Sequence, residues 1–117
     1  MTSLIACLGA GKGTWGYIAK LIESEPWEHV FLVTDEFGTK FSANMPIEFV
    51  IINENMMVAE IIELIKKQLE NKINDTEVAL NIVSGSGKIH MAILSSLLKL
   101  GLGIRLVTLT PEGMKEI

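Results

Sequence analysis

The chain has 117 residues, of which 49% are hydrophobic and 21% charged, and its formal net charge is −4. A chain of this length folds as a single domain, which we assign to residues 1–117. The negative net charge argues against a broad duplex-DNA surface, which needs a basic face, but leaves room for one small anion site.

Cysteine content and hydropathy exclude further classes of protein. Cys7 is the only cysteine, which excludes a disulfide framework and a cysteine-based metal cluster. No apolar run approaches the roughly 20 residues that a membrane-spanning helix needs. We therefore expect a cytoplasmic protein that binds no membrane, no metal and no cofactor.

The first half of the chain alternates apolar strands with one amphipathic helix. "SLIACLG" predicts a short buried strand that ends at glycine, and "HVFLVTD" predicts a second strand that ends at Asp35. Between them, Trp15, Ile18 and Ile22 recur at helical spacing over residues 14–24. A loop or edge hairpin, "EFGTKFSANMP", leads to a third strand, "IEFVII".

The second half repeats this alternation. Asn53 and Asn55 are expected to cap a helix in which Ile61, Ile65 and Leu69 share an apolar face. "EVALNIV" then predicts a strand, "SGSGK" a glycine-rich turn, and "IHMAILSSLLKL" a helix. "IRLVTL" is the final predicted strand, which the pair Thr110-Pro111 ends.

The character of these strands predicts the architecture. Strands that are apolar along their whole length are buried on both faces, as in parallel sheets covered by helices. The order β-α-β-β-α-β-α-β therefore predicts an α/β, Rossmann-like three-layer sandwich with a mostly parallel sheet.

The first glycine loop, "GAGKGT", is open to three interpretations. A P-loop would need a glycine where Ala6 stands, inside the strand. A dinucleotide fingerprint is met by Gly11, Gly13 and Gly16, with Asp35 at the end of the second strand. Otherwise the glycines only permit a tight turn. That last interpretation does not explain Lys12, because a cation beside a helix N-terminus is unfavourable unless an anion is bound there.

The second glycine loop, "SGSGK", repeats the arrangement of strand, glycine turn, lysine and helix. The carboxyl ends of parallel strands meet at one edge of the sheet, where open α/β sheets bind ligands. Two lysine-bearing turns at this edge predict a ligand with more than one phosphate. The predicted binding residues are Gly9, Gly11, Lys12, Gly13, Thr14, Asp35, Ser84, Gly85, Ser86, Gly87 and Lys88.

These segments also resemble a known family. In "LGAGKGT", "VFLVTDEFGTKF" and "SGSGK" with the apolar helix that follows it, the sequence resembles proteins with the CRISPR-associated Rossmann fold (CARF). That family commonly has a turn like Thr-Gly-Gly-Thr-Lys/Arg at the place of Ser84–Lys88. This chain differs from the pattern at Ser86, where a glycine is usual, and at Gly87, where a threonine is usual.

The resemblance implies a homodimer that binds a cyclic oligoadenylate, preferably cyclic tetra-adenylate, in type III CRISPR antiviral signalling. Lys12 and Lys88 of two protomers would face the phosphates of the ring across a two-fold axis. An NAD- or nucleotide-binding regulatory module without catalytic activity is the alternative. The apolar width of the 89–100 helix also favours a dimer contact.

Some members of this family cleave the messenger, so a metal-independent ring nuclease is a further expectation. Lys88 and Ser86 are the expected catalytic residues: Lys88 would stabilise the developing charge, and the candidate helpers are Lys12, Thr14, Ser84 and Ser86. His90 is either a general acid or base, or a histidine that packs in the first turn of its helix. The chain ends soon after Thr110-Pro111, which leaves three expectations open: a stand-alone sensor, a ring nuclease, or an excised sensor domain.

Overall fold

The computed structural model describes residues 2–9 and 12–117. Over these residues the chain forms six strands and three α-helices. The strands are β1 (Leu4–Cys7), β2 (Val30–Thr34), β3 (Glu48–Ile51), β4 (Glu77–Asn81), β5 (Gly103–Thr110) and β6 (Gly113–Glu116), and the helices are α1 (Trp15–Glu23), α2 (Val58–Leu69) and α3 (Gly87–Lys99).

The strands form one sheet in the order β3-β2-β1-β4-β5-β6, in which β1 to β5 are parallel and β6 pairs antiparallel with β5. The predicted α/β class with a mostly parallel sheet is confirmed, and the arrangement is compatible with a Rossmann-like fold. No helix in the described part of the chain is long and apolar enough to cross a membrane.

Alternate side chains of β1 lie on opposite faces of the sheet and belong to two different cores. Leu4 and Ala6 join the core that α1 covers, whereas Ile5 and Cys7 join the core beneath α2 and α3. All four side chains are almost completely buried, which is why this strand is apolar at every position. The helices supply the outer layers with apolar stripes at helical spacing: Ile18, Leu21 and Ile22 in α1, Ile61, Ile65 and Leu69 in α2, and Ile89, Ile93 and Leu97 in α3.

The start of α2 differs from the sequence prediction. Asn53 and Asn55 do not cap the helix; the Oδ1 of Asn53 accepts from the backbone N of Asn55 within the preceding loop. The N-cap is Met57, whose backbone N donates to the Glu60 carboxylate at 3.4 Å. An asparagine side chain competes for nearby amides whether or not a helix follows, so residue type alone did not locate the cap.

Strand β6 was not predicted. Pro111 does end β5, but Pro111 and Glu112 form a tight turn, and the chain returns as an antiparallel edge strand. Gly113 adopts φ 108° at the start of β6. The sequence "GMKE" contains too few apolar residues to show the alternation of a strand, and pairing with β5 supplies the missing stabilisation.

Candidate functional site at the carboxyl edge of the sheet

The two glycine turns meet above the ends of β1 and β4. The backbone N of Gly9 donates to the Ser84 hydroxyl at 2.7 Å, and the hydroxyls of Thr14 and Ser84 lie 2.5 Å apart. These bonds join residues about 70 positions apart in sequence because β1 and β4 are neighbours in the sheet. The turns therefore form one continuous structure, as their positions after parallel strands predicted.

The second turn has a backbone that only glycine adopts without strain. Gly85 has φ 98°, and a Cβ built on it would lie 2.3 Å from the Cys7 Sγ. The next residue, Ser86, is the N-cap of α3 and accepts from the Ile89 backbone N at 3.4 Å. This helix begins inside the glycine turn, two residues earlier than the apolar pattern predicted.

His90 contacts the same turn from α3. Its Nε2 lies 2.7 Å from the carbonyl oxygen of Ser84. A carbonyl oxygen accepts only, so the hydrogen at this contact belongs to Nε2. Of the two roles expected for His90, the packing role describes this contact.

Exposure divides the second turn into two parts. Ser84 is only 2% exposed and its hydroxyl is used by the first turn, whereas residues 85–88 are exposed. The Lys88 ammonium donates to the backbone carbonyl of Glu54 at 2.6 Å, so it reaches across to the loop after β3. Ser84 thus holds the turns together, and Gly85 to Lys88 form the surface.

The first turn presents Lys12 and Gly13 in a 3₁₀ turn that ends at Thr14. Both Lys12 and Gly13 are exposed, and the Lys12 ammonium lies 5.4 Å from the centre of the Trp15 ring, a cation–π contact. Lys12 and Lys88 therefore have different neighbours, one on α1 and one on the loop after β3. The predicted ligand residue Gly11 lies outside the described residues.

The aromatic residues after the first turn pack within the protein. Trp15 lies 5.7 Å from Phe37 and 5.8 Å from Phe41, measured between ring centres. Its buried indole Nε1 has no hydrogen-bond partner among residues 2–9 and 12–117. These contacts pack α1 against the segment that follows β2.

Tyr17 is held by polar contacts to the sheet. Its hydroxyl lies 3.0 Å from the Thr108 hydroxyl and accepts from Asn81 Nδ2 and the Leu109 backbone N. Burial raises the pKa of Tyr17, but these three hydrogen bonds together outweigh burial and lower the pKa below its ordinary value. The network joins α1 to β4 and β5 directly below the glycine turns.

A crevice of about 550 Å³ opens beside the turns, at the ends of β2 and β3. Its lining combines apolar side chains with carboxylates and amides: Asp35, Glu36, Phe37, Ile51, Ile52, Asn53, Glu54, Asn55, Met56 and Leu64. Of these, only Asp35 was predicted as a site residue, and one of its oxygens already accepts from the Gly38 backbone N at 3.0 Å. Glu54 lies three residues after β3, and its place near the carboxyl end of a parallel strand was the available signal for it.

The polar groups around the turns do not form a metal centre. Within residues 2–9 and 12–117, no three histidine, cysteine, aspartate or glutamate side chains are grouped so that they could hold a metal ion. Cys7 lies beneath Gly85, and burial, assisted by the negative charge of Glu54, raises the pKa of its thiol to about 12. This sulfur is therefore a neutral packing group at physiological pH.

The outer surface of α3 carries a shallow apolar groove of about 700 Å³. Met91 is 62% exposed and Leu98 66%, although both are large apolar side chains. Gly87 and His90 line the same groove, so it continues into the second glycine turn. This is the helix whose apolar width exceeded the needs of one sheet face.

Fold and site together define a class: a mostly parallel α/β protein with paired glycine turns and a ligand-sized crevice at the carboxyl edge of its sheet. No protein-family model matches the chain, and no curated protein shows significant similarity to it. The resemblance to the CARF family therefore depends on the sequence segments quoted above.

Proposed function

We propose that this chain is a CARF-like protein that binds a cyclic oligoadenylate at the carboxyl edge of its sheet. The single observation that carries the proposal is the hydrogen bond between Gly9 and Ser84, 2.7 Å long, which makes one surface of two glycine turns. Two exposed lysines belong to these turns, Lys12 with its ammonium over Trp15 and Lys88 with its ammonium on the Glu54 carbonyl. Cyclic tetra-adenylate is the favoured ligand.

Open space above the turns supports binding of phosphate there. A Cβ at Gly13 or Gly87 would meet no described atom within 4 Å, so packing does not account for glycine at either position. Glycine at such places lets a ligand approach the backbone closely. The amides at the start of α3 and the Lys88 ammonium would then share the negative charge of one phosphate.

The crevice supports a nucleoside beside that phosphate. Its volume of about 550 Å³ falls within the roughly 300–1,000 Å³ typical of small-molecule sites. Carboxylates at Asp35, Glu36 and Glu54 are acceptors for ribose hydroxyls and for an exocyclic amine, but they would repel a phosphate. A ligand with its phosphate at the turns and its nucleoside in the crevice would use these acceptors and keep the phosphate away from the carboxylates.

A two-fold dimer completes the proposal. The groove on α3 leaves Met91 and Leu98 exposed and reaches the second turn through Gly87 and His90. A second copy packed on this groove would bury those side chains and bring two sets of turns to one axis. A ring with two-fold symmetry fits such a paired surface.

Cleavage of the ring is the catalytic form of this proposal. A ribose 2′-hydroxyl would lose its proton to water and attack the adjacent phosphorus, forming a 2′,3′-cyclic phosphate as the P–O5′ bond breaks. The departing 5′-oxygen would take up a proton from water. The Lys88 ammonium would stabilise the charge that develops on phosphorus-bound oxygens, and the exposed Ser86 hydroxyl would donate to it. This chemistry needs in-line geometry more than a strong base.

Calorimetric titration with cyclic tetra-adenylate, followed by chromatography of the products, tests both claims. Lys88→Ala should weaken binding about tenfold or more, because it removes a charge-assisted contact worth roughly 1.5–3 kcal/mol. Lys20→Ala, an exposed lysine in the last turn of α1 and away from both the crevice and the α3 groove, is the matched control and should bind like the wild type. One ring per two chains, with sedimentation of a dimer, is the expected stoichiometry.

Unchanged affinity in Lys88→Ala would contradict the proposal, as would saturation at one ring per chain. The alternative function has its own support, since Asp35 at the end of β2 lines the crevice where a dinucleotide ribose would sit. Titration with NAD and AMP in the same series separates the two. Tighter binding of NAD than of the cyclic ligand would favour the regulatory nucleotide-binding module.

A further inference from the structure

The imidazole of His90 closes the second glycine turn onto α3. Its Nε2 donates to the Ser84 carbonyl, six residues earlier, at 2.7 Å. Its backbone N donates to the Ser86 carbonyl at 2.9 Å, so the residue is fixed at both its side chain and its main chain. A Cβ on Gly85 would lie 3.3 Å from Nε2, which places the ring against the middle of the turn.

Ser84 connects this contact to the first turn. Its hydroxyl binds Gly9 and Thr14, and its carbonyl binds His90. Being only 2% exposed, Ser84 makes all these contacts inside the protein. A displacement of its peptide plane would therefore change the conformation of both turns.

We propose that His90 is a positioning residue, which holds the Ser84–Gly85 peptide so that the exposed part of the turn faces the ligand. This inference rests on the proposed function, because it concerns the conformation of the turn that would bind the ligand phosphate. In a trans peptide the C=O and the following N–H point in opposite directions. Fixing the Ser84 carbonyl on the imidazole thus directs the Gly85 N–H away from α3.

The other side of that peptide is the contact between the two turns. A Cβ on Gly9 would lie only 3.2 Å from the backbone N of Gly85. The amide therefore lies at the contact between the turns, and an anion bound over this contact would accept from it. Without the imidazole, the turn, which already needs φ 98° at Gly85, would lose the contact that selects this orientation.

A positioning role makes a different kinetic prediction from acid or base catalysis. The Nε2 hydrogen is used by a backbone carbonyl, so it is not available to a leaving group at this position. A side chain that only donates a hydrogen bond should therefore replace the imidazole. Glutamine meets this condition, because its amide nitrogen donates at a similar reach and does not titrate.

The experiment compares His90→Ala with His90→Gln by titration with cyclic tetra-adenylate. We expect His90→Ala to weaken binding about tenfold, the effect of one lost hydrogen bond, and His90→Gln to bind within about threefold of wild type. His29→Ala is the control, since His29 is an exposed histidine whose nearest acidic partner is Glu28 at 3.8 Å. If cleavage occurs, kcat should follow affinity in this series and survive in His90→Gln.

Equal affinity of His90→Ala and wild type would overturn the inference, and so would equal losses in the alanine and glutamine variants. Loss of kcat with intact affinity in His90→Gln would assign His90 to proton transfer instead. A ligand-free measurement separates this inference from the proposed function. ¹⁵N relaxation should show lower order parameters at Gly85 and Ser86 in His90→Ala and wild-type values in His90→Gln; if the alanine variant shows no change, the positioning role is wrong even where no ligand binds.

Discussion

The two glycine turns have similar sequences, "GAGKGT" and "SGSGK", but different construction. The second is defined by its own contacts: Ser86 caps α3, His90 holds the Ser84 carbonyl, and Gly85 takes a backbone conformation that suits glycine alone. In the first, Thr14 precedes α1 without a side-chain cap, and its hydroxyl binds Ser84 instead. The first turn is therefore positioned by the second.

This difference shows that a glycine-rich pattern does not by itself define a rigid phosphate loop. Three contacts constrain the second turn: the Ser86 cap of α3, the hydrogen bond from His90 to Ser84, and the sulfur of Cys7 beneath Gly85. Under the proposed function, the turn with the more constrained backbone would contribute more to affinity, because preorganised amides lose less entropy when a ligand binds.

The largest expected effect is at Gly85. Gly85→Ala should lower the free energy of unfolding by about 4 kcal/mol, from about 1–3 kcal/mol of backbone strain and about 1–3 kcal/mol of overpacking against Cys7. Urea denaturation measures the loss. The Gly85→Ala substitution should also disorder both turns, since Gly85 lies next to Ser84, which joins them.

Gly113→Ala is the matched control for that substitution. Gly113 has φ 108°, close to that of Gly85, but a Cβ there would meet no described atom within 4 Å. Gly113→Ala should therefore lower the free energy of unfolding only by the backbone strain, about 1–3 kcal/mol. Equal losses at the two positions would show that the sulfur contact contributes nothing to the second turn.

The next effect tests whether the first turn depends on the second. Ser84→Ala leaves the Gly9 N–H without its acceptor and the Thr14 hydroxyl without its partner, which should cost about 2 kcal/mol. Thr14→Val removes only the hydroxyl pair and should cost about 1 kcal/mol or less. Both values come from urea denaturation.

The double variant sharpens this comparison. If Ser84 and Thr14 act through one shared hydrogen bond, the loss in the double variant should be smaller than the sum of the two single losses. Strict additivity would mean that the hydroxyl pair contributes nothing, and that Ser84 joins the turns only through the hydrogen bond from Gly9.

The sequence predicted much of the fold and part of the site. The strands β1 and β2 could be predicted because strands buried on both faces are apolar at every position. The helix α2 could be predicted because its buried stripe repeats at helical spacing. The meeting of the turns followed from parallel strands. The crevice was not predicted, because the loop after β3 has no glycine signature, and neither was the bond from His90 to Ser84, which depends on side-chain direction.

The smallest expected effect concerns Cys7, whose sulfur lies beneath Gly85 at the end of β1. Burial raises the pKa of its thiol from 9.0 to about 12, so the folded protein favours the neutral thiol. The stabilisation is complete below about pH 9, where the unfolded thiol is also protonated, and is lost as the pH rises toward 12. Between pH 9 and 10 the loss should be about 1 kcal/mol.

Cys7→Ala isolates this contribution, because the two proteins differ only at the thiol. The difference in free energy of unfolding between wild type and Cys7→Ala, measured in urea at pH 8, 9 and 10, should shrink as the pH rises. Tyr17, whose lowered pKa acts in the opposite direction, cancels in that difference. A difference that stays constant across this range would mean that the thiol is hydrated, and that the second turn does not seal the end of β1 from water.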